Sequence, residues 1–233
     1  MLKTRIVKFP AARSIGLLSV RQKPDDEWTN FASARGNVIV PDGKELRLEV
    51  SPKAIFDPRV FADFEPNALS VLEWVSTRQV NDSTVGFLQH LTGLKGLALW
   101  ETKVGDLAMV SLARLQNLEW LDLGDTLITD DGLRYLLELR SLHYLSLLNT
   151  QVTDEGLRFV KRIVSLEGLD LMNTLITDEA IKHLRVLPKL RTLRITQTRI
   201  SQLGYRKLSL ALPHCNVRYH DPHRITSTTW TRL

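Results

Sequence analysis

The chain has 233 residues, of which 43% are hydrophobic and 24% charged, with a net charge of +5 and a single cysteine. That length can bury a sizeable core, and the composition excludes disordered, collagen-like and disulfide-framed classes. No run approaches the ~18 apolar residues of a membrane span, and residues 1–10 lack an apolar core of signal-peptide length, so the expected compartment is the cytosol.

In chain order, residues 5–9 and 15–20 alternate as strands. Residues 37–50 read as two more strands joined by the Pro41-Asp42-Gly43 turn. Leu46 and Leu48 stand 26 residues before Leu72 and Trp74, the mark of a degenerate first repeat. Asp57-Pro58 then opens a short helix, with an acceptor at the cap and proline at the first position. Together, residues 1–68 form a β-rich N-terminal cap; an independent domain is the alternative.

From residue 69 the chain repeats. Thr77, Thr102, Thr126, Thr150, Thr174 and Thr198 are separated by 25, 24, 24, 24 and 24 residues. Each sits in the frame L-x-x-L-x-L-x-x-T-x-(I/V), as in Leu118/Leu121/Leu123 and Leu142/Leu145/Leu147. The alternating run is a half-buried strand. A Thr-Asp pair follows, as in Ile128-Thr129-Asp130 and Val152-Thr153-Asp154, and supplies acceptors and negative charge for a helix start. Leu133, Leu136, Leu137 and Leu139 then recur at helical spacing, packing inward. One such unit cannot bury its apolar face alone, so stacked neighbours must share it.

These residues resemble the leucine-rich-repeat family, in its variety with convex-side helices, over residues 69–217 and about six repeats. The resemblance implies an α/β fold: a right-handed solenoid with a parallel concave sheet, convex helices and the small β-rich cap. It also implies protein binding, as an adaptor, rather than catalysis. Threonine stands where the family often has asparagine or cysteine; its hydroxyl is expected to bond exposed backbone between turns.

The C-terminal end is basic. Net charge runs +2 over residues 1–68, −4 over 69–190 and +7 over 191–233. Residues 212–217 read as a last strand, and 218–233 as a polar, basic tail. Arg191, Arg194, Arg199, Arg206, Lys207, Arg218, Arg224 and Arg232, with Tyr219 and Trp230 for stacking, offer an alternative surface for nucleic acid or an acidic protein. His214, Cys215, His220 and His223 lie close together, but without a second ligand pair they imply no metal site. No phosphate-loop, dinucleotide or zinc-hydrolase motif occurs, so neither a catalytic residue nor a cofactor is assigned.

Outward positions of the repeat strands form columns along the concave face. In them Trp100, Trp120, Tyr144, Leu148 and Met172 place large apolar side chains toward solvent. Adjacent repeats are ~5 Å apart, so these five form one patch of the kind that marks an interaction site. Glu73, Glu101, Asp122, Asp125 and Asp170 share the columns and point to a partner bearing Lys or Arg. The competing expectations are that the chain's own ends cover the aromatics, that the carboxylates are merely solvated, or that the patch joins two copies. Asp122 and Asp170, two repeats or roughly 10 Å apart, are too distant for a retaining carboxylate pair.

Overall fold

The structure, a computed structural model, describes residues 4–53, 57–74, 76, 77 and 79–219. Five strands open the chain: β1 (Thr4–Lys8), β2 (Gly16–Arg21), β3 (Thr29–Ser33), β4 (Asn37–Pro41) and β5 (Glu45–Val50). The repeats then contribute three-residue strands, β6 (Val71–Glu73), β7 (Gly96–Ala98), β8 (Trp120–Asp122), β9 (Tyr144–Ser146), β10 (Gly168–Asp170), β11 (Thr192–Arg194) and β12 (Asn216–Arg218).

Ten strands make one sheet in the order β12-β11-β10-β9-β8-β7-β6-β5-β2-β3. From β5 to β12 every pairing is parallel. Strands β2 and β3 extend the sheet antiparallel, while β1 and β4 pair with each other in a separate ribbon. The strands before and after the Pro41-Asp42-Gly43 turn therefore go to different sheets. The first coil also corrects a register. Leu48, not Leu46, lies opposite Leu72, so the offset is the 24 residues of the array rather than 26. A shift of two keeps the same face inward, which is why the pattern tolerates either alignment.

The frame leucines are closed off from water: Leu97, Leu121, Leu145 and Leu193 are fully buried. One continuous core runs from Val7 to Leu212. At the joint between cap and array, Phe61 packs against Trp74 with ring centres 5.1 Å apart and planes tilted by 55°, and Phe64 meets Phe9 edge-on at 5.4 Å. The side opposite the sheet carries helices of four or five residues: α1 (Asp82–Gly86), α2 (Ala108–Leu112), α3 (Asp130–Leu133), α4 (Leu157–Val160) and α5 (Ile181–Leu184). The last, α6 (Gln202–Ala211), is longer, at 10 residues. The helix expected through Leu139 is broken: α3 ends at Leu133, and a 3-10 turn takes over from Arg134–Glu138. Leu133, Leu136 and Leu139 stay buried at a spacing of three, which suits the tighter turn, and Leu137 is left half-buried.

Two hydrogen-bond ladders hold the coils. The frame threonine donates its hydroxyl within its own turn, to the carbonyl three residues back: Thr102 to Leu99 at 2.7 Å, Thr150 to Leu147 at 2.6 Å, Thr174 to Leu171 at 2.7 Å. The expected bond between turns is supplied instead by the aspartates. Asp106 accepts from the Thr129 amide and hydroxyl at 2.9 and 2.6 Å, and Asp130 and Asp154 do the same for Thr153 and Thr177. Threonine caps α3 and the 3-10 turn before α5, Thr129 accepting from the Asp131 amide at 3.3 Å and Thr177 from the Glu179 amide at 3.2 Å, while Asn81 caps α1 and Ser201 caps α6. A side chain with two oxygens can hold two donors of the next coil at once, and aspartate alone has them here.

Candidate functional site

Between strand and threonine each coil turns a corner in the left-handed backbone region. Ser76, Glu101, Asp125, Asn149, Asn173 and Gln197 all have φ between 52° and 60°. Asparagine and aspartate tolerate this conformation better than other side chains, so a local backbone demand accounts for Asp125. Its carboxylate accepts from the Asn149 amide, and Asn149 in turn accepts from Asn173 at 2.5 Å. Glu101 accepts from the Ser76 hydroxyl at 2.8 Å.

The first outward column reads, in hydrogen-bonded register, Val71, Gly96, Trp120, Tyr144, Gly168 and Thr192. Trp120 and Tyr144 stack with ring centres 6.4 Å apart and planes at 22°. Each ring spreads over a neighbouring glycine. A Cβ at Gly168 would lie 2.6 Å from Tyr144 Cδ2, and one at Gly96 would lie 3.3 Å from Trp120 Cε3. In the third column Trp100 does the same over Gly124, where a Cβ would meet Trp100 Cδ1 at 2.8 Å and Leu148 Cβ at 3.4 Å. Trp100, Trp120, Tyr144, Leu148 and Met172 are all half-buried. They are neither packed inside nor blanketed by any described part of the chain. Val75, which heads this column, lies outside the described residues.

The second column runs between these two rows and is polar: Glu73, Ala98, Asp122, Ser146, Asp170 and Arg194. The five carboxylates singled out from the sequence are not equivalent. Asp170 is buried and forms an ion pair with Arg194 at 2.8 Å, so its charge is answered inside the molecule. Glu73 is paired with Arg47 at 2.5 Å. Asp122 remains half-buried, accepting from the Gly124 amide at 2.9 Å and from the Ser146 hydroxyl. Burial pushes the carboxyls of Asp122 and Asp170 above their ordinary range, against those hydrogen bonds and the Arg194 charge. The Tyr144 hydroxyl, also buried, is pushed up to about 12, with Asp170 and Asp122 adding to the shift.

Arg194, Ser146 and the glycines at 96, 124 and 168 belong to this surface and are absent from the sequence-derived set. A signal for the glycines was present: every concave aromatic has a glycine beside it in its own column. At the basic end, Arg191 lies 3.7 Å from Glu167, Tyr219 stacks on Tyr205 at 4.7 Å, and His220, His223, Arg224, Trp230 and Arg232 lie outside the described residues. Cys215 is half-buried, and burial raises its thiol to about 11, which makes it unreactive. Among the described residues no group of three His, Cys, Asp or Glu side chains converges as metal ligands, and no helix is long and apolar enough to cross a membrane.

No family model matches the sequence, and no curated protein matches it. Solved structures do match. An internalin from Listeria monocytogenes aligns with a TM-score of 0.59 and 20% identity, covering 76% of this chain and 54% of its own. An internalin C2 from the same organism aligns at 0.49 and 23%, covering 68% of this chain and 76% of its own. A leucine-rich-repeat protein of Leptospira interrogans aligns at 0.48 and 22%, covering 65% and 37%. The chain thus spans about half the length of the first of these (54%). The fold is that of the leucine-rich-repeat solenoids, a parallel concave sheet backed by short helices.

Proposed function

We propose that this protein is a cytosolic recognition module that docks a protein partner of apolar and basic surface on its concave sheet. The observation that carries the reading is the pair of half-exposed aromatic rows, Trp120–Tyr144 and Trp100–Leu148–Met172, held flat by glycines of adjacent coils. Rings locked in this way lose little freedom on binding, which is what makes aromatic side chains effective anchors. Repeat solenoids present extended concave surfaces of this kind for macromolecular contact. The reading assigns no catalysis. The carboxylate contribution is narrowed to Asp122, flanked at the sheet corner by Glu101 and Asp125, because Asp170 and Glu73 are paired within the chain.

The test is affinity capture with the full chain, identification of bound proteins by mass spectrometry, and titration of each purified candidate. A Trp100→Ala/Trp120→Ala variant of unchanged melting temperature is expected to weaken the true partner by roughly 100-fold or more, as the loss of two anchors implies. Undiminished affinity in that variant would refute the choice of surface. Light scattering on both proteins separates capture from self-association through the same rings.

A further inference from the structure

The outward side of the short helices follows a charge rule that α6 breaks. Around α3, α4 and α5 an exposed cation pairs with the acid three residues before it: Arg134 with Asp131, Arg158 with Glu155, and Lys182 with Glu179. In α6 the cation is kept as Arg206, 24 residues on from Lys182, and the place of the acid is taken by Leu203. Leu203, Arg206, Lys207 and Leu210 recur at helical spacing and share one face of α6, while Gly204 and Leu208 are buried. The two leucines are 60% and 82% exposed. Val186, 24 residues before Leu210, is also exposed. Apolar stripes of this spacing ordinarily face a core; here one is turned to solvent among positive charges. We propose that this face rests on an anionic lipid bilayer, with Arg185, Arg206 and Lys207 among the headgroups and Val186, Leu203 and Leu210 in the acyl boundary beneath them.

Charge sets the sign of the partner. Residues 180–219 contain nine Lys or Arg and no Asp or Glu. Among the described residues Arg185, Lys189, Arg206 and Lys207 form no ion pair, so their charge is directed outside the molecule. Exposed aliphatic side chains alone do not mark the site. Helix α2 exposes Leu107 and Val110, but in a stretch, residues 103–127, where acids outnumber bases. At α6 the two features coincide.

The apolar component selects a bilayer over other polyanions. Proteins that hold a nucleic-acid strand by its backbone commonly add aromatic platforms for the bases. The two aromatics of residues 180–219, Tyr205 and Tyr219, are half-buried and stacked on each other, ring centres 4.7 Å apart. Phosphate contacts would also leave the leucines in water. A bilayer of anionic lipid answers both kinds of side chain, since headgroups attract Lys and Arg while the acyl boundary takes aliphatic groups. Leu203 and Leu210 stand two turns apart, about 10 Å along a helix lying flat. The helices lie opposite the sheet, so a chain docked through α6 keeps its concave face turned away from the lipid. The contact goes beyond the recognition reading and does not depend on it.

The test sediments the full chain with vesicles of phosphatidylcholine alone and of phosphatidylcholine mixed with an equal part of phosphatidylglycerol. Binding to mixed-sequence duplex DNA and to polyglutamate is measured in parallel. The chain is expected to bind the anionic vesicles, to leave the neutral ones, and to be released as salt rises. Leu203→Ser/Leu210→Ser changes two exposed side chains and is expected to keep its melting temperature. It is expected to weaken anionic-vesicle binding about tenfold or more and to leave DNA and polyglutamate binding unchanged. Arg206→Glu/Lys207→Glu is expected to weaken vesicle binding at least tenfold, since each cation near such a surface gives about a fivefold gain. Trp100→Ala/Trp120→Ala is expected to sediment like the unaltered chain. Failure to bind anionic vesicles, or undiminished vesicle binding in either α6 variant, would overturn the assignment. So would a leucine variant that loses DNA or polyglutamate as much as vesicles, which would make the partner a polyanion without a lipid phase. Loss of vesicle binding in the tryptophan variant would overturn it too, by moving the contact to the concave sheet.

Discussion

Asp122 is the side chain whose environment works against it. Its carboxyl is raised by burial, so it holds its proton more tightly in the fold than in the unfolded chain. The sign follows: the associated stability is full below the unfolded carboxylate pKa near 4 and is lost as pH rises through the raised folded value. Asp122→Asn is therefore expected to raise the melting temperature at pH 7 and to change it little at pH 3, measured by thermal scans at both. A lower melting temperature at pH 7 would contradict the account. Arg194 is the opposite case. Its removal leaves the Asp170 side chain, only 2% exposed, without its ion pair, so Arg194→Ala is expected to cost about 3–5 kcal/mol. Adding Asp170→Asn is expected to recover part of that loss, as chemical denaturation of the single and double variants would show. Among the corners, Gln197 holds φ 60° without the short Asn or Asp side chain that tolerates this region. Gln197→Asn is expected to stabilise by a few tenths of a kcal/mol up to about 1, read from the denaturation midpoint.

Each coil is an assembly of strand, corner, capped short helix and return, and its weak point is the contact with the next coil. Asp130 alone holds both the amide and the hydroxyl of Thr153. Asp130→Ala strands a backbone donor at the junction of α3 and α4, at an expected cost of about 1–3 kcal/mol. The frame threonines act within one coil instead. Glycines act between coils: filling the space beside Tyr144 with Gly168→Val would force the ring off the sheet. That change is expected to weaken partner binding by more than it lowers stability, which overpacking limits to roughly 1–3 kcal/mol. Paired binding and denaturation measurements on the same variant distinguish the two effects.

Across the molecule, stability is mainly a chain of nearest-neighbour contacts between coils, with Lys95 reaching two coils back to Glu45 at 2.7 Å. The losses from Asp106→Ala and Asp178→Ala, three coils apart, are expected to add within about 0.5 kcal/mol. A large coupling between them would mean that the array unfolds as one rigid block. The β-rich cap closes one end with the Phe61–Trp74 and Phe9–Phe64 contacts. At the other end β12 is the edge strand, paired on one side with β11. Amide exchange is accordingly expected to be fastest at β12 and slowest near β8 and β9.

The amino-acid sequence alone determined the repeat length, the strand-then-cap order and the inward leucines, because these follow from spacings within one coil. It also marked Trp100, Trp120, Tyr144, Leu148 and Met172 as outward-facing, since strand alternation is local. It did not show β3, the 24-residue register of Leu48, or the break of the helix after Leu133. Nor did it show which carboxylates are answered internally. Asp170 with Arg194 and Glu73 with Arg47 are partners a whole coil apart, and rings resting on Gly96, Gly124 and Gly168 are contacts between coils. Such choices depend on how successive turns stack and which way side chains lean across the gap. Only the assembled solenoid decides them.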